Sequence, residues 1–167
     1  MKRTNIWMRT RDVDWAIRIG KFYIHVSSAG DDLPAAVQEN LYDIWDALKS
    51  APVLYKAEDV ELNEVFLKKK FPANYGGNNE MSQFQREWYI HSFKSMAMRG
   101  FYSFDRDIST PVTDSKYNLI AWPKAGPQLL SIRLLTIHKE IDISQLCQGD
   151  LVAKINDLWN EENNVLL

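Results

Sequence analysis

The sequence predicts an α+β fold with a mainly antiparallel sheet. A two-residue Gly20-Lys21 turn sits between two alternating apolar segments. A stripe of apolar residues at helical spacing follows it. Strands and helices then come in blocks, β-β-β-α-α-α-β-β-β-α, rather than in strict alternation. Block order favours helices packed on one sheet face, with the other face open to a binding partner.

Residues 4–10 alternate in polarity and predict a first strand. Trp15, Ile17 and Ile19 then alternate with Asp14, Ala16 and Arg18, and Phe22, Ile24 and Val26 alternate with Tyr23, His25 and Ser27. Glycine at the first of two loop positions suits a type II′ hairpin. Such a loop pairs Ile19 with Phe22, Ile17 with Ile24 and Trp15 with Val26, so the six apolar residues share one face. The second face carries Arg18 with Tyr23, Ala16 with His25 and Asp14 with Ser27.

Ser27 to Asp32 reads as a turn into a helix, with Asp32 as N-cap and Pro34 in the first turn. Leu33, Val37, Leu41, Ile44, Trp45 and Leu48 give that helix one apolar stripe, ended by Ala51-Pro52. A second helix is predicted from about Asp59 to Lys70, with Leu62, Val65 and Phe66 inward and Lys68 to Lys70 at its cation-favouring end. Phe71 to Asn79 is rich in breakers and predicts a mobile loop. A long helix follows, from about Glu80 to Arg99. Met81, Phe84, Trp88 and His91 line one side and Tyr89, Phe93, Met96 and Ala97 another, which predicts packing on more than one side, with Gly100 at the stop. Phe101 to Asp105, Tyr117 to Trp122 and Leu129 to Ile137 read as strands. Asp150 caps a closing helix that buries Leu151, Ile155, Leu158 and Trp159.

The 167 residues are 46% hydrophobic, 25% charged and 12% aromatic, with a net charge of −2. These values exclude a disordered chain, a collagen-like repeat and a disulfide scaffold, and suit one domain over residues 1–167. The single cysteine, Cys147, has no internal partner and is expected to be a buried, inert thiol. No apolar run approaches the ~20 residues that span a bilayer. Met1 to Asp14 has charges and Trp7 where a signal peptide needs an apolar core, so a cytoplasmic location is expected. The near-neutral total gives no reason for strong non-specific nucleic-acid binding.

Candidate chemistry is sparse. His25, His91 and His138 show no metal-ligand spacing, and no glycine-rich phosphate loop or nucleophile elbow is present. Ser27-Ser28-Ala29-Gly30 has one glycine and is followed by Asp31-Asp32, which would repel a phosphate. Asp12-x-Asp14 and Asp105-x-Asp107 read as turn carboxylates and surface pairs. His25-x-Ser27 resembles one half of the two-histidine phosphoesterase signature, whose second half is absent. The aromatic segments Trp88 to Phe93 and Phe101 to Arg106 read as core, or alternatively as interface.

The resulting expectation is a non-catalytic protein-binding module, such as an inhibitor, an immunity-type protein or an adaptor. Its partner is another protein, with no cofactor, metal or membrane, and its oligomeric state is open. One alternative is a histidine-dependent hydrolase of phosphoesters, with His25 as general acid or base beside Ser27. A second alternative is single-stranded nucleic-acid binding on a face made by Trp7, Arg9, Arg11, Arg18 and Tyr23.

Overall fold

Two antiparallel ribbons meet along a parallel seam in the computed structural model, which describes residues 11–72, 80–108 and 116–163. The first ribbon is the hairpin of β1 (Asp14–Ile19) and β2 (Phe22–Ser27). Its register is the one the turn predicts, with Trp15 opposite Val26, Ile17 opposite Ile24 and Ile19 opposite Phe22. Gly20 supplies the positive φ, 56°, that the first loop position of a type II′ turn requires.

The second ribbon contains β3 (Val60–Leu62), β4 (Tyr102–Arg106) and β5 (Tyr117–Pro123), with β5 antiparallel to both neighbours. A two-residue β6 (Thr136–Ile137) completes the order β3-β5-β4-β2-β1-β6. β2 pairs with β4, and β1 with β6, in parallel. The sheet is therefore mixed, not mainly antiparallel. The helical stretch between β2 and β4 acts as a crossover, and a crossover returns the chain in the same direction.

The helices depart from expectation in three places. The stripe from Leu33 to Leu48 is split into α1 (Ala35–Glu39) and α2 (Leu41–Ser50) at Asn40, whose side-chain amide donates to the Ala36 carbonyl. Pro34, not Asp32, occupies the N-cap position of α1. The predicted helix from Asp59 begins instead with a 3-10 turn (Ala57–Asp59) and β3, and α3 covers only Glu64–Lys70, capped by the Asn63 side chain. Edge pairing with β5 overrides local helix propensity there. Most of the predicted strand from Leu129 is irregular, and only its last two residues pair. α4 (Glu80–Ala97) and α5 (Leu151–Glu162, capped by Asp150) match the predicted helices closely. Gly100 follows α4 with a φ of 97°. The strand predicted over residues 4–10 lies outside the described residues, as does 73–79 of the predicted loop.

Two apolar clusters hold the layers together. The larger joins Trp15, Ile17, Ile24 and Phe104 to Leu41 and Ile44 of α2 and to Leu151 and Ile155 of α5. The smaller joins Phe93 and Ala97 of α4 to Val60, Ile120 and Ala121. Alternate residues of a strand face opposite ways. Phe104 therefore shares a face with Val26, while Ser103 and Asp105 share the face of His25 and Ser27. α4 lies on this second face, where Tyr89 bonds to Asp105. Helices thus occupy both faces, and the face expected to be open is covered: Ala16, Tyr23, His25 and Ser27 are all buried. Cys147 is exposed rather than buried. Among the described residues no helix is long and apolar enough to cross a membrane.

Candidate functional site

Strand pairing lines up a row of polar residues at one end of the sheet. Antiparallel pairing sets Asp14 opposite Ser27, and parallel pairing sets Ser27 beside Asp105. These residues lie on one face of three adjacent strands, at the carboxyl ends of β2 and β4. Open sheets commonly bind ligands at such an edge. One rung deeper, Ala16, His25 and Ser103 form a second row.

The buried polar groups of this region satisfy one another. His25 Nδ1 lies 2.6 Å from Ser103 Oγ, and its Nε2 lies 3.0 Å from Asp14 Oδ1. The residue types are those of a nucleophilic triad, but the access is reversed. Ser103 is 0% exposed, whereas the Asp14 side chain is 63% exposed. A catalytic serine must meet its substrate. Here the serine closes the inner end of a chain that keeps a buried imidazole paired.

Ser27 Oγ donates to the Asp12 carboxylate at 2.7 and 2.8 Å, and the Ala29 amide donates to Asp12 at 2.9 Å. The amide of the Ser27 to Gly30 turn that could meet a phosphate is thus bonded to the chain's own carboxylate. Tyr89 donates to Asp105 at 2.5 Å. Burial pushes the Asp105 carboxyl above its ordinary value, against the Tyr89 hydrogen bond, which lowers it. Burial, and then the charge of Asp105, push the Tyr89 phenol upward as well.

Two grooves flank the Tyr89–Asp105 pair. One, of about 620 Å³, is lined by Asp12, Asp14, Glu87 and Asp105, with no Lys or Arg lining it among the described residues. The other, of about 680 Å³, carries Lys69, Lys70 and Arg106 beside Asp105 and Asp107. Large apolar side chains stand at their rims. On α4, Phe84 is 65% and Trp88 76% exposed, one helical turn apart, at the acidic groove. Val65 and Ile108 are exposed at the other. The packing of α4 is therefore one-sided. Ile90, Phe93 and Ala97 are buried, while Phe84, Trp88 and His91 face solvent.

The predicted site residues separate. His25 and Ser27 belong to the row just described. His91 lines the acidic groove with Ser27 and Asp14, whereas His138 pairs with Glu162 at 2.9 Å beside a different depression. Arg18 lies over the Tyr23 ring, 5.2 Å from its centroid, and its Nε donates to the Gly20 carbonyl. Tyr23 is only 2% exposed, and its hydroxyl meets the backbone of Leu130. Arg11 is exposed. Trp7 and Arg9 lie outside the described residues. Trp88, Tyr89 and Asp105 fall in the two aromatic segments read from the sequence as core or alternatively as interface, whereas sequence reasoning had not assigned Phe84 to a site. The signal for Phe84 and Trp88 was the second apolar stripe of α4, because one helix face suffices to cover a sheet. Among the described residues no group of three or more His, Cys, Asp or Glu converges to hold a metal ion.

No protein-family model matches the chain, and comparisons with curated proteins and with solved structures find no match.

Proposed function

We propose that the chain is a cytosolic protein-binding module that engages its partner through the outer face of α4 and the two grooves beside it. One observation carries this reading: Phe84 and Trp88, a turn apart, stand in solvent at the mouth of a groove. Contiguous exposed apolar side chains mark interaction sites, and tryptophan is enriched among the residues that dominate binding energy. The inward polar groups add support, since Ser103 is sealed and the Ser27 hydroxyl is engaged with Asp12.

The test is purification of tagged wild type, Trp88→Asp and Phe84→Asp/Trp88→Asp from the host cell, followed by reconstitution with the captured protein. A stoichiometric complex whose Kd weakens at least about a hundredfold in the double variant is expected, the size of a lost hot spot. A complex indifferent to both substitutions would overturn the reading.

The hydrolase reading keeps one favourable observation, the exposed His91 in the same groove as Asp12 and Asp14. It requires wild type to turn over an activated phosphodiester and His91→Ala to abolish that turnover.

A further inference from the structure

Phe84 and Trp88 leave the outer face of α4 exposed, and among the described residues the two grooves beside it differ in charge. Among the described residues, Trp88 and Phe84 border a groove lined by four carboxylates, Asp12 and Asp14 before and at the start of β1, Glu87 on α4 and Asp105 near the end of β4, with His91 beside them. The basic residues Lys69, Lys70 and Arg106 lie in the groove on the far side of Tyr89 and Asp105. A partner that seats an apolar surface on Trp88 and Phe84 places its neighbouring side chain into the carboxylate-lined space. An acidic group there would meet like charge in a partly desolvated setting, whereas a cation would be paired.

We infer that this groove receives a cationic side chain, arginine or lysine, projecting from an apolar surface of a partner protein. The inference rests on the protein-binding reading above and adds the chemistry of what enters the groove. Asp12 is engaged by Ser27 and Ala29, but Asp14 and Asp105 keep acceptor capacity for such a group. Asp14 uses Oδ1 toward His25 and is largely exposed, and Asp105 takes Tyr89 on Oδ2 and the Arg106 backbone amide, with the Lys70 cation nearby. A carboxylate offers about four acceptor positions, enough to add a guanidinium to one or two internal donors. The flat Trp88 ring, standing free at the rim, suits the stacking that arginine also makes.

The probe is an acetylated, amidated peptide alternating leucine and arginine, titrated into the full-length 15N-labelled chain and followed by amide shifts. Two matched peptides replace arginine by citrulline, which keeps its shape without the charge, or by glutamate. Shifts centred on Asp14, Ser27, Tyr89 and Asp105 are expected with the arginine peptide. Binding should be at least about tenfold weaker with citrulline, and about tenfold weaker in Glu87→Gln, an exposed position that leaves the fold intact. Citrulline binding as tight as arginine, with loss in Trp88→Asp, overturns the cation assignment and leaves the protein-binding reading standing. Binding of all three peptides undiminished in Trp88→Asp overturns both. Arginine-peptide shifts that map away from the groove, or their absence, overturn the cation assignment. So does a gain in affinity on deleting residues 1–10, which would make the chain's own basic amino terminus the occupant.

Discussion

Replacing Tyr89 by Phe removes one hydroxyl and keeps the ring. That ring is packed at 5.3 Å from Phe93 and 5.5 Å from Phe71, with the Lys70 ammonium 4.8 Å from its centroid. The substitution therefore isolates the hydrogen bond to Asp105. A bond to an ionised acceptor contributes about 1.5–3 kcal/mol, and one between neutral partners about 0.5–1.5 kcal/mol. The sign of the pH effect follows from Asp105. Burial raises its folded pKa, so its contribution to stability is full below the unfolded value and is lost as pH rises through the folded one. Tyr89 opposes that loss by donating to the ionised form, and its own raised pKa keeps the proton in place. Tyr89→Phe should thus cost about 2 kcal/mol near pH 8, seen as a Tm lower by about 4–8 °C for a chain of this size. Near pH 4 the deficit should shrink toward about 1 kcal/mol, because the raised pKa favours the protonated carboxyl on the acid side. Thermal melts followed by circular dichroism at the two pH values decide the matter. A deficit that is equal at both, or that grows toward acid, would refute the reasoning.

Three further outcomes are expected. Ser103→Ala leaves His25 Nδ1 buried without its partner and should cost about 1–3 kcal/mol, read as a lower urea midpoint with an unchanged slope. Gly20→Ala should destabilise more than Gly126→Ala, although both glycines have positive φ. A Cβ at Gly20 would sit 2.8 Å from the Lys139 carbonyl oxygen, while at Gly126 it meets nothing within 4 Å. The second variant should lose about 1–2 kcal/mol from backbone strain alone, and equal losses would remove the steric argument. Trp88→Asp should leave unfolding stability within about 0.5 kcal/mol, because the side chain stands in solvent. A large fall in Tm would place Trp88 in the core instead.

Local features were legible in the sequence and distant pairings were not. The β1–β2 register followed from a two-residue loop and a period of two, both contained within Asp14 to Ser27. The parallel pairing of β2 with β4 joins residues as far apart as His25 and Ser103, 78 positions along the chain, and no local pattern encodes it. β3 was read as helix because Val60 to Leu62 adjoins a helical stripe, and only the β5 edge makes it a strand. At the site, His25 was visible as a titratable group on the second sheet face. Its pairing with Ser103 depended on β4 being set beside β2, which sequence order does not reveal. The two apolar stripes of α4 were visible as well. Which of them the sheet would claim was settled by packing of Phe93 and Ala97 against Ile120 and Ala121.

The seam between β2 and β4 also has a kinetic meaning. The β1–β2 hairpin and the β4–β5 pair can each close over a short stretch of chain, and hairpins form in about 1–10 μs. Joining the ribbons requires loop closure over the 78 positions that separate His25 from Ser103, so chain entropy opposes that step before any contact rewards it. A molecule halted there exposes the unpaired flanks of β2, with Phe22, Tyr23, Ile24 and Val26, and of β4, with Tyr102 and Phe104. Such bare strand edges template association between chains. Slow synthesis or high concentration should therefore yield aggregates built through this seam. Suppressing them calls for faster ribbon docking rather than a tighter hairpin.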